Sequence, residues 1–219
     1  MKILHVGNIA NNAYLAAKWD RTIGIESYVA NPDMYHIMSF PFWETDFMSR
    51  SVSHHYVKRS EIELLNRNPD WFFFGTWREI ISQYSSSTQE IIFAKKNFFF
   101  HLVDLLIYKL WLLFRNFLKK YSNDKILNLI NLGLSSFLRT LNRPKLLNFF
   151  NIFDIVVFYG PYTEVLSDIN LPRTIAVEHG TLRNFIWQNN FYSRRSLKGY
   201  CKADFIFVTN SDCIEFATQ

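Results

Sequence analysis

The stretch from Phe153 to Asp212 carries FDIVVFYGPYTEVL (153–166), LPRTIAVEHGTLRNF (171–185) and KADFIFVTNSD (202–212). Three short apolar runs stand out in it: Ile155–Phe158, Thr174–Val177 and Phe205–Val208. Each is rich in β-branched or aromatic residues and closes on a polar or glycine-bearing turn, as a strand buried in a parallel sheet does. After each turn the pattern loosens toward a helix. Repeated strand–turn–helix units predict an α/β fold, a Rossmann-like doubly wound parallel sheet, whose ligands bind beyond the carboxyl ends of the strands. The turns at Gly160–Tyr162, Glu178–Arg183 and Asn210–Asp212 are thereby expected along one edge.

Working outward, Lys2–Asn8 reads as a first strand ending in a glycine turn. Ala10 to Arg21 follows as a helix, closed by Gly24, and Ile25–Ala30 as a second strand. This βαβ opening lets a ligand approach the chain at Gly7 and Asn8. One glycine is not a G-x-G-x-x-G, so two readings stand: these residues face a ligand, or they merely make the turn. Pro69–Gly75 reads as a further turn and strand, followed by a helix over Trp77–Tyr84. Ser85–Thr88 reads as a polar break.

The long apolar region from Gln89 to about Asn151 has polar residues at helical spacing, Asn97, His101, Asp104, Tyr108, Arg115 and Lys119. Ile126, Ile130, Leu134, Phe137 and Leu141 mark a second amphipathic helix. The expectation is one Rossmann-like domain over 1–219 with a helical, amphipathic insertion over 89–148. The insertion is either a hairpin packed on the sheet or an interfacial membrane patch with basic margins.

The chain has 219 residues, enough for one sizeable core, and its 49% hydrophobic and 20% charged content excludes a disordered chain. A net charge of +5 suits an anionic membrane surface or a phosphorylated ligand. The basic residues do not interleave with aromatics in a nucleic-acid module, so no nucleic-acid partner is expected. The spacing of Cys201 and Cys213 fits neither metal nor redox chemistry, and His54-His55 has no carboxylate spacing around it, so no metal is expected. No export signal is visible, so a cytoplasmic location is expected, with peripheral contact at the inner face of the membrane through the amphipathic helices.

The turns carry the chemistry. Gly160-Pro161 fixes a tight strand exit, and Thr163 is placed to cap the next helix. Glu178 and His179 point to different sides of a strand end, so one can face a ligand while the other supports the loop. Gly180 permits close approach of a ligand. Thr181 is placed to cap a helix from Leu182, leaving amides for an anion or for sugar oxygens. Arg183 in that first turn opposes the helix dipole, which an acidic ligand group or a carboxylate such as Glu178 would explain. Thr209 or Asn210 lines the crevice after the last strand.

Lys2–Asn8, Glu178–Arg183 (EHGTLR) and Ala203–Asp212 (AD-x-x-x-x-TN-x-D) together resemble the N-terminal, acceptor-binding domain of a GT-B glycosyltransferase of the retaining group called family 4. The resemblance covers both ends of the chain and leaves Asn31 to Asn151 unmatched. It implies the first half of a two-domain architecture, with a nucleotide sugar as donor substrate, no other cofactor, and a glycan or lipid-linked acceptor. It places Gly7 and Asn8 near the donor diphosphate and makes His179 the catalytic contact to the transferred sugar. Gly160, Glu178, Gly180, Thr181, Arg183 and Asn210 would shape the acceptor side. The donor-binding domain with its E-x7-E glutamates has no counterpart here. The expectation is a truncated or split enzyme, inactive alone; in the split case its donor half is a separate chain. A non-catalytic, membrane- or partner-binding module is the competing expectation.

Overall fold

The computed structural model describes residues 1–32, 39–41, 68–90, 145–178, 190–209 and 214. By internal contacts the chain divides into two compact units, one of Met1–Glu90 with Leu147–Gln219 and one of Ile91–Leu146. The described residues belong almost wholly to the first. The expected insertion over 89–148 falls mainly on residues outside them.

The first unit is an α/β structure built on a six-stranded, all-parallel sheet. Its strands are β1 (Lys2–Val6), β2 (Glu26–Pro32), β3 (Phe72–Gly75), β4 (Ile155–Tyr159), β5 (Thr174–Glu178) and β6 (Phe205–Val208). They lie in the order β3-β2-β1-β4-β5-β6. The order reverses between β1 and β4, which makes that gap the switch point where doubly wound sheets open a crevice. Among the described residues, helices α1 (Asn12–Thr22), α2 (Trp77–Thr88) and α3 (Phe191–Tyr200) are accompanied by 3-10 segments at Ile9–Asn11 and Gly160–Ser167 and by helical residues 145–150.

Register sorts the side chains onto two faces. Ile3, Val29, Val157 and Tyr159 point to the side on which Ala13 and Ala17 of α1 pack. Tyr28 and Phe73 point to the other and stack on each other; Tyr84 meets both edge-on, Phe153 meets Tyr28 and Tyr84, Phe149 meets Tyr84, and Phe158 meets Phe150. Ala176 and Ile206 on that second side pack against Tyr200 of α3. Aromatic rings supply much of that core, and T-shaped pairs add to their burial.

Two aspartates pin the amino edge of the sheet. Asp154, just before β4, accepts the Lys2 amide at 2.8 Å, and its own amide donates to the Lys2 carbonyl at 2.8 Å. Asp204, just before β6, accepts the Thr174 amide at 2.7 Å and the Thr174 hydroxyl at 3.1 Å. Each carboxylate fixes the register of the neighbouring strand. The bond from the Thr174 amide, first among its causes, holds the Asp204 carboxyl below the usual range.

Three local expectations are corrected. The α-helix after β1 begins at Asn12, because Ala10 (φ 47°) and Asn11 (φ 63°) are left-handed. The segment Ser85–Thr88 does not break α2. Ser86 Oγ donates to the Ser82 carbonyl and Thr88 Oγ1 to the Tyr84 carbonyl, both at 2.9 Å, so the hydroxyls follow the helix, which ends where Gln89 turns left-handed (φ 58°). Thr163 caps no helix: its hydroxyl lies 3.1 Å from both the Gly160 and the Ser196 carbonyls and joins the 3-10 segment to α3.

Candidate functional site

The carboxyl edge of the sheet gathers Gly7 and Asn8 after β1, Pro32 ending β2, Gly75 ending β3, Gly160 after β4, Glu178 ending β5 and Thr209 after β6. Of the residues expected to form the site, the structure brings Gly7, Asn8, Gly160 and Glu178 to this one edge. His179, Gly180, Thr181, Arg183 and Asn210 lie outside the described residues.

Gly7 sits at φ 86°, and its amide donates to the Ala30 carbonyl at 2.7 Å. A Cβ here would meet the Tyr162 ring at 2.1 Å. The close approach that glycine permits is thus taken by a side chain of the same protein. Tyr162 leaves the exit of β4, crosses the switch point over Gly7, and donates from its hydroxyl to the Pro32 carbonyl at 3.3 Å. Sequence reasoning named the Gly160–Tyr162 turn without foreseeing that its tyrosine covers the first glycine turn. Two adjacent non-glycine residues at positive φ, Ala10 and Asn11, mark this turn as strained.

Asn8 is fully buried and its side chain is occupied. Its amide nitrogen donates to the Ser39 carbonyl at 2.8 Å and to Asn11 Oδ1 at 3.2 Å, while Oδ1 accepts the Tyr14 amide at 3.0 Å. That last bond satisfies a helix amide in the first turn of α1. The other helix N-termini are capped in the same self-contained way. Thr76 and Glu79 form a capping box on α2, and Asn190 and Ser193 form one on α3.

Glu178 is fully buried on the α3 side of the sheet and accepts a hydrogen bond from the Tyr200 hydroxyl. Its carbonyl accepts the Thr209 amide at 3.0 Å and the Thr209 hydroxyl at 2.8 Å. Glu178 therefore ties β5 to α3 through its side chain and to the exit of β6 through its backbone. The Glu178 side chain thus turns inward to α3. Tyr200 carries no sequence signal beyond helical spacing.

Beneath the edge, on the α1 side, lies a polar chain that sequence reading did not find. His5 Nε2 meets Asp20 Oδ2 at 3.0 Å, His5 Nδ1 meets the Tyr159 hydroxyl at 3.0 Å, and Ser27 Oγ donates to Asp20 Oδ2 at 2.9 Å. The bond from His5 holds the Asp20 carboxyl below its usual range, with Ser27 adding to it against the opposing effect of burial. Burial, with the Asp20 charge behind it, pushes the Tyr159 hydroxyl upward. The alternation of β1 gives a signal only in hindsight: His5 shares a face with Ile3 and so must find polar partners inside.

Among the described residues, no group of three His, Cys, Asp or Glu side chains is placed to hold a metal ion. No helix among them is long and apolar enough to cross a membrane. The fold and the edge residues define an α/β protein with a doubly wound type of parallel sheet. Compared with known proteins, the chain matches no family model, no curated protein and no solved structure.

Proposed function

We propose that this chain is the acceptor-binding half of a retaining glycosyltransferase of GT-B type, moving a sugar from a nucleotide-sugar donor to a glycan or lipid-linked acceptor. The observation that supports the reading is the placement of Gly7, Asn8, Gly160 and Glu178 along the carboxyl edge beside the switch point. These are residues for which the sequence resemblance asks a place at one cleft wall. In this reading His179, next in the chain after Glu178, touches the transferred sugar, and Gly180, Thr181, Arg183 and Asn210 shape the acceptor side. Gly7 and Asn8 lie toward the donor diphosphate. The nucleotide is held by a second domain with the E-x7-E glutamates, and the protein works in the cytoplasm at the inner face of the membrane. Without that domain the departing diphosphate lacks most of its electrostatic stabilisation.

The test supplies the E-x7-E half in trans and measures sugar transfer from a panel of nucleotide sugars. Transfer is expected with both halves and lost in His179→Ala. Unchanged transfer in that variant removes His179 from the site.

A second reading, a non-catalytic binding module, is favoured by the self-contained bonding of the edge: Tyr162 covers Gly7, and Asn8 and Glu178 bond within the chain. No transfer under any donor when both halves are present supports it.

A further inference from the structure

Helix α1 turns an apolar stripe to solvent. Leu15, Trp19 and Ile23, the last at the helix C-cap, stand four residues apart and are 52%, 70% and 64% exposed. A spacing of four stacks them on one side of the helix, opposite the Ala13 and Ala17 that pack on the sheet. A tryptophan this exposed, flanked by two large aliphatic residues, is not what a solvated helix face carries.

The charge of that face has a definite sign. The only acid on α1 is Asp20, and it is drawn inward by His5 and Ser27. The bases Lys18 and Arg21 are both exposed and lie on either side of Trp19 in sequence. Arg21 donates to the Ser27 carbonyl at 3.1 Å and stacks on Trp71, whereas Lys18 pairs with no described residue. Arg21, two residues from Trp19, thus turns to the opposite side of the helix, and the outward surface of α1 is apolar with one base, Lys18, at its margin, on a chain whose net charge is +5.

The same side of the sheet continues the theme. In register, Val157 pairs with Ile175, Ile175 with Phe205 and Val177 with Phe207, so the two phenylalanines of β6 point to the side that carries α1. They are 67% and 58% exposed.

From these observations we infer that the α1 side of the sheet, centred on Trp19, docks on an anionic lipid surface. Leu15, Trp19 and Ile23 enter the boundary between headgroups and acyl chains, and Lys18 meets the lipid phosphates. The tryptophan suits the interfacial layer, its ring amphipathic and its indole N–H left to a headgroup. The inference rests on the membrane location proposed above but uses no residue of the candidate site, so loss of vesicle binding and loss of sugar transfer are read separately. It also differs from a membrane patch over Phe98–Leu141, which lies outside the described residues.

The full chain is sedimented at low salt with vesicles of phosphatidylcholine alone, or of phosphatidylcholine and phosphatidylglycerol in equal parts. The expected result is binding to the anionic vesicles that falls with added salt, with a blue shift of tryptophan emission that Trp19→Phe removes. Trp19→Glu is expected to lower partitioning about tenfold or more, and Lys18→Glu to weaken binding to anionic vesicles. Lys198→Glu on exposed α3, across the sheet, makes the same charge change and is expected to leave binding intact. Circular dichroism confirms that each variant is folded, which is expected of exposed positions. Failure of the wild type to bind anionic vesicles overturns the inference. So does equal binding by Trp19→Glu, which would assign the membrane contact to another surface. A concentration-dependent dimer that Trp19→Glu abolishes overturns it in favour of a second copy of the chain.

Discussion

At Gly7 two demands meet: a left-handed backbone and a ring pressed against Cα. Gly7→Ala is expected to cost about 2–3 kcal/mol, from backbone strain and overpacking together. In the Tyr162→Ala background the same substitution costs only the backbone part, so in a double-mutant cycle by urea denaturation the double variant loses less stability than the two single losses added together. Asp20 makes the second residue-scale prediction. Its folded-state pKa is depressed below the ordinary 3.8 by the bond from His5 and then that from Ser27. A depressed carboxyl contributes stability that is present above the unfolded pKa and lost as pH falls through the folded one. The stability difference between wild type and Asp20→Asn is therefore widest near neutrality and narrows below about pH 4, as urea midpoints across pH will read.

At the scale of elements, the contact between α3 and the turn after β4 depends on Gly199. A Cβ there would meet the Thr163 carbonyl oxygen at 1.8 Å, and a backbone oxygen cannot swing aside. Gly199→Ala should cost about 3 kcal/mol and weaken the Thr163–Ser196 bond, visible as faster amide exchange in α3. The elements themselves were legible from sequence because each strand is a short apolar run ended by a turn. All six strands read from sequence are present, and Gly24 follows α1 at φ 82°. What misled was local chemistry. Serine and threonine hydroxyls in Ser85–Thr88 look like a break but bond back to carbonyls one turn earlier. The candidate site was legible as a location, since strand ends share an edge. The jobs of its residues were not, because the partners come from afar: Tyr200 for Glu178, Tyr162 for Gly7, Ser39 for Asn8. Asp154 and Asp204 carried a readable signal, an aspartate just before an apolar run, whose meaning needed the register of the neighbouring strand.

For the whole molecule, the core on the α2 side is a set of interlocked rings set among buried aliphatics such as Leu4, Ile80 and Val156. Phe150 meets Trp77 of α2, Phe149 in its own helical turn and Phe158 of β4, at centroid distances of 5.3, 5.7 and 5.8 Å, and is 1% exposed. Phe150→Ala leaves a cavity bounded by three other rings and should cost about 3–5 kcal/mol in a thermal or urea melt. The substitution acts on segments far apart in sequence, so the transition is expected to stay cooperative while its midpoint falls.

The strand order has a consequence in time. β1 is at the centre of the sheet, yet its partner on one side is β4, and the bond from the Lys2 amide to Asp154 spans 152 residues. At ribosomal rates β1 waits roughly 8 to 30 s for that partner to be made. During that interval β2 can cover one edge of β1, while the backbone groups that will meet β4 stay open. The unit Ile91–Leu146 is synthesised within this wait. The sheet's central pairing thus becomes possible only after β1–β2 and β2–β3, and before β4–β5 and β5–β6, and whatever shields the open edge of β1 in a nascent chain decides how much of it reaches the native state.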